Sequence, residues 1–183
     1  MKDTRHLEQD DVSGWAWVKM NVEGTDNSLT KQRALLTKQY TIHPSLDVAV
    51  NSGGYTIFCG CAVAVDFVKK HLQTLRKTTK DIMCVCAAAE YLPFRPNAFR
   101  TVIATELIEH VESPDELLQE LSRVGQRLII TTPLTKIQST GHVRLYTKKQ
   151  LLKQISKYRK PIACEILEEQ NIELILVVAE CMK

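Results

Sequence analysis

Glycine is scarce in this sequence: 7 in 183 residues, about half the usual frequency. A loop that lets backbone pass close beneath a bound nucleotide needs several glycines together, so any function resting on such a loop has few residues to build it from. Long apolar runs are missing as well. No stretch approaches the ~18 to 20 consecutive apolar residues of a membrane span. The opening Met1-Lys2-Asp3-Thr4-Arg5-His6 has no apolar signal core, so the expected location is cytoplasmic. C-x-x-C pairs are also lacking. Cys59/Cys61 and Cys84/Cys86 are C-x-C pairs, a spacing unlike a metal knuckle, and the six cysteines are expected to be reduced and buried as small hydrophobes. A strong charge of one sign is absent too: 24 basic against 21 acidic side chains leave +3, which argues against nucleic acid as the partner.

What remains is a chain of single-domain size, with 44% apolar and 25% charged residues, in the range of soluble globular proteins. Residues 1–27 show no sustained period, hold both tryptophans, Trp15 and Trp17, and read as an N-terminal extension to a domain over 28–183. Near-continuous apolar or β-branched runs at 46–50, 62–67, 82–88, 101–105 and 127–132 predict strands covered on both faces, hence a largely parallel sheet. Helical patterns alternate with them. Val68, Leu72 and Leu75 mark one stripe, and Leu117, Leu118, Leu121 and Val124 mark another. Ser113-Pro114-Asp115-Glu116 predicts a capping box opening the second of these helices, with Gly125 stopping it. Thr147 and Gln150 repeat that pattern ahead of Leu151, and Pro161 marks the end. Runs at 162–167 and 172–180, joined by Glu168-Glu169-Gln170-Asn171, predict an antiparallel hairpin at the sheet edge. The expected fold is a three-layer, Rossmann-like open α/β sheet, mostly parallel, ending in that hairpin. Such sheets bind ligands at the carboxyl ends of their strands.

Five stretches stand in order and register: Ala89-Glu90-Tyr91-Leu92-Pro93-Phe94, Phe99-Arg100-Thr101-Val102-Ile103, Glu106-Leu107-Ile108-Glu109-His110-Val111 with Ser113-Pro114, Leu117 to Val124, and Thr131-Thr132-Pro133. Together they resemble the class I S-adenosylmethionine-dependent methyltransferases, particularly the small-molecule group, over roughly two thirds of the chain. The resemblance implies S-adenosyl-L-methionine as cofactor and in-line transfer of its methyl to an oxygen, nitrogen or carbon of a small acceptor. It places Asp47, Ser52, Gly53 and Asp66 at the donor's methionine and ribose, with Phe67 along the adenine. Ala89 and Glu90 border the adenine, and Glu106 stands near the methionine end. Asp66 suits a ribose because a carboxylate offers acceptors to both hydroxyls; as a residue before a helix it would equally serve as a cap. His110 is the candidate general base, since a neutral imidazole can take a proton near pH 7.

The first loop departs from the family pattern. Leu46-Asp47-Val48-Ala49-Val50-Asn51-Ser52-Gly53-Gly54 has alanine and asparagine at the first two of three alternating glycine places. Ala88 and Arg100 replace the family's usual acidic residues. These departures support a competing reading, a methyltransferase-like protein that has lost catalysis and serves as a binding or regulatory partner. A cleft filled by Tyr55, Phe58 or Trp15 would favour it. Some relatives hold Mg²⁺ with an arrangement like Glu106, Glu109, His110 and His142; the same residues also serve as loop contacts. Arg144 and Tyr146 stand where they could touch an acceptor or form surface.

Overall fold

The structure is a computed structural model describing residues 28–135 and 141–181; the expected extension at 1–27, with Trp15 and Trp17, lies outside the described residues. Its elements are α1 (Leu29–Tyr40), β1 (Ser45–Val48), α2 (Gly54–Cys59), β2 (Val63–Asp66), α3 (Lys69–Thr78), β3 (Met83–Cys86), β4 (Phe99–Thr105), α4 (Pro114–Val124), β5 (Gly125–Pro133), α5 (Lys148–Ile155), β6 (Lys160–Glu169) and β7 (Ile172–Glu180). The seven strands form one sheet in the order β3-β2-β1-β4-β5-β7-β6. β1 to β5 run parallel; β7 runs antiparallel to both β5 and β6.

Alternate strand residues feed two cores, which is why the apolar runs are continuous. Leu46, Val48, Val102, Ala104, Leu128 and Ile130 pack with the α4 stripe, Leu117, Leu118 and Leu121, and with Leu151 and Ile155 of α5. Ile103, Ile129, Leu176 and Val178 face the other way, against Ala34 of α1 and Tyr55 and Cys59 of α2. Leu72 and Leu75 of α3 cover Ala64 on that same side. The α/β architecture with a terminal antiparallel hairpin is as expected.

Several local expectations fail. Ser113 makes no side-chain cap hydrogen bond, so the capping box at α4 does not form, whereas the one at Thr147 and Gln150 does. Gly125, by contrast, stops α4 as expected, as its C-cap with φ −117°, and a Cβ there would collide with the Val102 side chain. Pro161 does not close a helix. It lies inside β6, beside a register shift, on an edge strand that tolerates the missing N–H. Cys59 and Cys61 are buried as expected, but Cys86 and Cys181 are exposed.

Candidate active site

Strand order reverses between β1 and β4, and crossovers leaving their carboxyl ends in opposite directions open a crevice there. A cleft of about 900 Å³ occupies this edge. Its walls are Val48 and Ala49 at the end of β1, Asp66 and Phe67 at the end of β2, Ala87 to Tyr91 after β3, Leu107 and His110 after β4, and Ser113 and Glu116 at the start of α4. The structure therefore brings together Asp66, Phe67, Ala89, Glu90 and His110. Asp47, Ser52, Gly53 and Glu106 are not on its lining. Neither are Tyr55 and Phe58, which lie on the α1 side of the sheet, Tyr55 against Arg33 and Phe58 under Lys38.

The loop after β1 keeps a glycine-like path without the glycines. Ala49 (φ 62°), Asn51 (φ 48°) and Gly53 (φ 77°) are all left-handed, at alternate positions. Asparagine tolerates that region; alanine does so at a cost of roughly 1–2 kcal/mol. At Gly53 even that choice is closed, since a Cβ would lie 2.6 Å from Leu75 Cδ1.

Asp66 holds this loop. Its Oδ2 accepts the Asn51 N–H (3.1 Å) and faces His71 Nδ1 (3.0 Å), while Oδ1 accepts the Val68 N–H (2.8 Å). A carboxylate offers about four acceptor positions, so these three contacts leave about one for a ligand hydroxyl. Asp47, one strand over, is buried beneath the loop and accepts the Thr56 hydroxyl at 2.6 Å. Burial pushes its pKa up to about 7.

On the β4 side, Glu106 adopts φ 51° and is held from two directions: Arg33 of α1 reaches its Oε1 (3.1 Å) and the Thr131 hydroxyl donates to the same oxygen (2.9 Å). Arg33 also hydrogen-bonds Tyr55. Glu109 is buried, with Oε2 accepting from Thr132 (2.9 Å) and Oε1 without a hydrogen-bond partner. Burial, and then the charge of Glu106, raise its pKa to about 8. His110 Nδ1 stands 3.1 Å from the Gly141 carbonyl. A carbonyl only accepts, so that nitrogen is the donor, and in a neutral ring the lone pair is then on Nε2.

Residues 46–127 match a family described as a methyltransferase domain. That stretch, a little under half of the chain, is what is similar to a methyltransferase domain. No curated protein matches the chain. Its fold is similar to that of the [4+2]-cyclase SpnF, with 14% identity, a TM-score of 0.71, and coverage of 87% of this chain and 85% of that one. A methyltransferase from Methanosarcina mazei gives 12% identity and a TM-score of 0.66 over 81% and 98% of the two chains. Geranyl diphosphate methyltransferase, solved in complex with GPP and sinefungin, gives 13% and 0.66 over 83% and 79%. These likenesses show the fold, and a cyclase among them shows that the fold alone does not set the reaction.

At the β4 side of the cleft, ligand atoms of Glu109, His110 and His142 lie within 4.8 Å of one another. The rings of His110 and His142 meet edge to face at 4.7 Å, and burial, then the charge of His110, lowers the His142 pKa. One carboxylate and two imidazoles fit a borderline cation such as Zn²⁺ or Mn²⁺ better than Mg²⁺, and the partnerless Glu109 Oε1 is consistent with such a ligand. Glu106, engaged by Arg33 and Thr131, is not in the set. Arg33 and His71 were not legible as site residues. Arg33 sits on a helix with no apolar stripe to announce it, and His71 meets Asp66 across a turn five residues later.

Proposed function

We propose that the chain is an S-adenosylmethionine-dependent methyltransferase of the cytoplasm acting on a small-molecule acceptor. The observation that supports this reading best is the open cleft between β1, β2 and β4, within the 300–1,000 Å³ common for small-ligand sites and unfilled by Tyr55 or Phe58. The bound donor supplies a methyl already electrophilic on its sulfonium. The protein's part is then to hold donor and acceptor in line and exclude water. Asp66 takes a ribose hydroxyl with its remaining acceptor position, Phe67 lies along the base, and Ala89 and Glu90 border it. His110, with its proton held on Nδ1 by the Gly141 carbonyl, uses Nε2 to receive a proton from the acceptor.

A second reading, a binding protein without catalysis, draws on a specific feature. Asp47, Ser52, Gly53 and Glu106 are off the cleft lining, and Glu106 is engaged by Arg33. Such a site would suit a nucleoside better than a nucleoside carrying an amino-acid arm. Calorimetric titration with S-adenosylhomocysteine and with adenosine separates the two. The enzyme is expected to bind S-adenosylhomocysteine at least tenfold more tightly, about 1.4 kcal/mol. Equal affinity would favour the binding protein, and no heat from either ligand would overturn both.

A further inference from the structure

The charged side chains on the cleft lining are all carboxylates: Asp66, Glu90, Glu112 and Glu116. Among the described residues that lining holds no Lys or Arg. With Asp66 and Glu90 given to the donor, Glu112 and Glu116 fall to the acceptor's side, together with His110 and the apolar Leu107, Val111 and Val143. Both glutamates are exposed, and no ion pair among the described residues involves either. Arg144 turns its Nη2 to the Glu112 carbonyl (2.9 Å) and is not on the lining. An anionic acceptor would therefore meet like charge with no counter-charge, whereas a cation is drawn in.

Two further features of this cleft favour a cation. Glu109, next to His110 in the chain, is 1% exposed, and its Oε1 has no hydrogen-bond partner among the described residues. Its ligand atom lies within 4.8 Å of His110's. A buried acceptor left open calls for a donor, and a protonated amine brings up to three N–H groups, enough for both residues. A neutral alcohol has one O–H and gains nothing from the carboxylates. Tyr91, 75% exposed at the mouth, adds a ring whose π face attracts cations.

We propose that the acceptor is an amine with an apolar body, bound as its ammonium and methylated on that nitrogen, an assignment that rests on the methyltransferase reading. The ammonium gives one proton to His110 Nε2, and the freed lone pair forms the N–C bond. The S–C bond breaks with its electron pair left on sulfur, so the sulfonium becomes a neutral thioether and the product is again an ammonium.

Benzylamine, benzyl alcohol and benzoate share one apolar body and differ in charge. Titrated calorimetrically into the full chain with EDTA present, with and without S-adenosylhomocysteine, the amine is expected to bind at least tenfold more tightly than the alcohol, and benzoate not at all. Salt at about 1 M, where the screening length is about 3 Å, should erode that preference severalfold. Glu112→Gln combined with Glu116→Gln should remove most of it. Both side chains are exposed, so loss of folding is not expected, and circular dichroism checks it. Incubation with S-adenosylmethionine should yield N-methylbenzylamine and no benzyl methyl ether by mass spectrometry. Equal affinity for amine and alcohol, tighter binding of benzoate, no binding of any probe, or a preference that the double variant keeps would overturn the proposal. So would transfer to the alcohol alone, or to neither probe in a chain that binds S-adenosylhomocysteine. An amine preference in a chain that gives no heat with S-adenosylhomocysteine would instead support the amine site and overturn the methyltransferase reading.

Discussion

Asp66 Oδ2 accepts the backbone N–H of Asn51 at 3.1 Å, joining the end of β2 to the left-handed loop that follows β1. The same carboxylate meets Val68 and His71, so one buried side chain fixes a loop, a helix start and a cleft wall. Asp66→Ala takes this acceptor away from the Asn51 and Val68 N–H groups. The expected loss is about 1–3 kcal/mol in urea denaturation. S-adenosylhomocysteine binding should fall at least tenfold by calorimetry, with partial recovery in Asp66→Asn. An unchanged urea midpoint would show that the three contacts carry little energy.

Ala49 and Gly53 should respond oppositely to exchange. Ala49→Gly relieves a left-handed alanine and is expected to stabilise the fold by about 1 kcal/mol, after allowing for the greater freedom of glycine in the unfolded chain. Gly53→Ala should cost about 2 kcal/mol or more, because it adds both strain and a clash with Leu75. Thermal melts of the two variants measure this, and similar melting temperatures for both would count against the strain argument.

Asp47 gives a pH dependence whose sign is fixed. Burial raises its folded pKa from 3.8 to about 7, so its folded form binds the proton more tightly than the unfolded chain does. Its contribution to stability is full below about pH 4 and is lost as pH rises to about 7. Asp47→Asn, which still accepts the Thr56 hydroxyl, should flatten this part of the profile. Urea midpoints taken at half-unit steps would reveal the change, and a parallel profile in the variant would contradict it.

Zn²⁺ or Mn²⁺ is expected to raise the melting temperature through Glu109, His110 and His142, by the mass-action stabilisation that any native-state ligand gives. His142→Ala should abolish the shift. Glu106→Gln should preserve it, since Glu106 is engaged by Arg33 and Thr131. A shift that survives His142→Ala would place the ion elsewhere.

The two helix starts that look alike in sequence should differ in energy. Thr147→Ala removes a formed capping box and is expected to cost about 1 kcal/mol. Ser113→Ala removes no cap bond and should cost less than half as much. Equal losses in denaturant titration would mean that Ser113 caps α4 in solution.

The sheet could be read from sequence because strands buried on both faces leave continuous apolar runs, as at Leu128 to Ile130, and because Leu117, Leu118 and Leu121 recur at helical spacing. The hairpin was equally plain, its second strand falling at 172–180 as expected. Features governed by contacts between distant residues were not. Gly125 looks like a helix stop in one dimension, but its reason is Val102, on the neighbouring strand. Helix α1 carries Lys and Arg around a weak apolar face, so neither it nor the Arg33–Glu106 pair had a periodic signal. Ala49 and Asn51 read as losses of glycine. The backbone they adopt follows from the fold around them.

Helix α4 passes into β5 with no intervening loop, and Gly125 lets the two meet against Val102. Its other end, about 16 Å away at 1.5 Å per residue, carries Ser113 and Glu116 at the cleft. A rod fixed at its base into a parallel ladder cannot swing without shearing the β4-β5 register. That wall of the cleft is therefore an anvil. Adjustment to ligands of different size must come from the opposite side, at Phe67 and Tyr91, where side chains stand in solvent with room to turn.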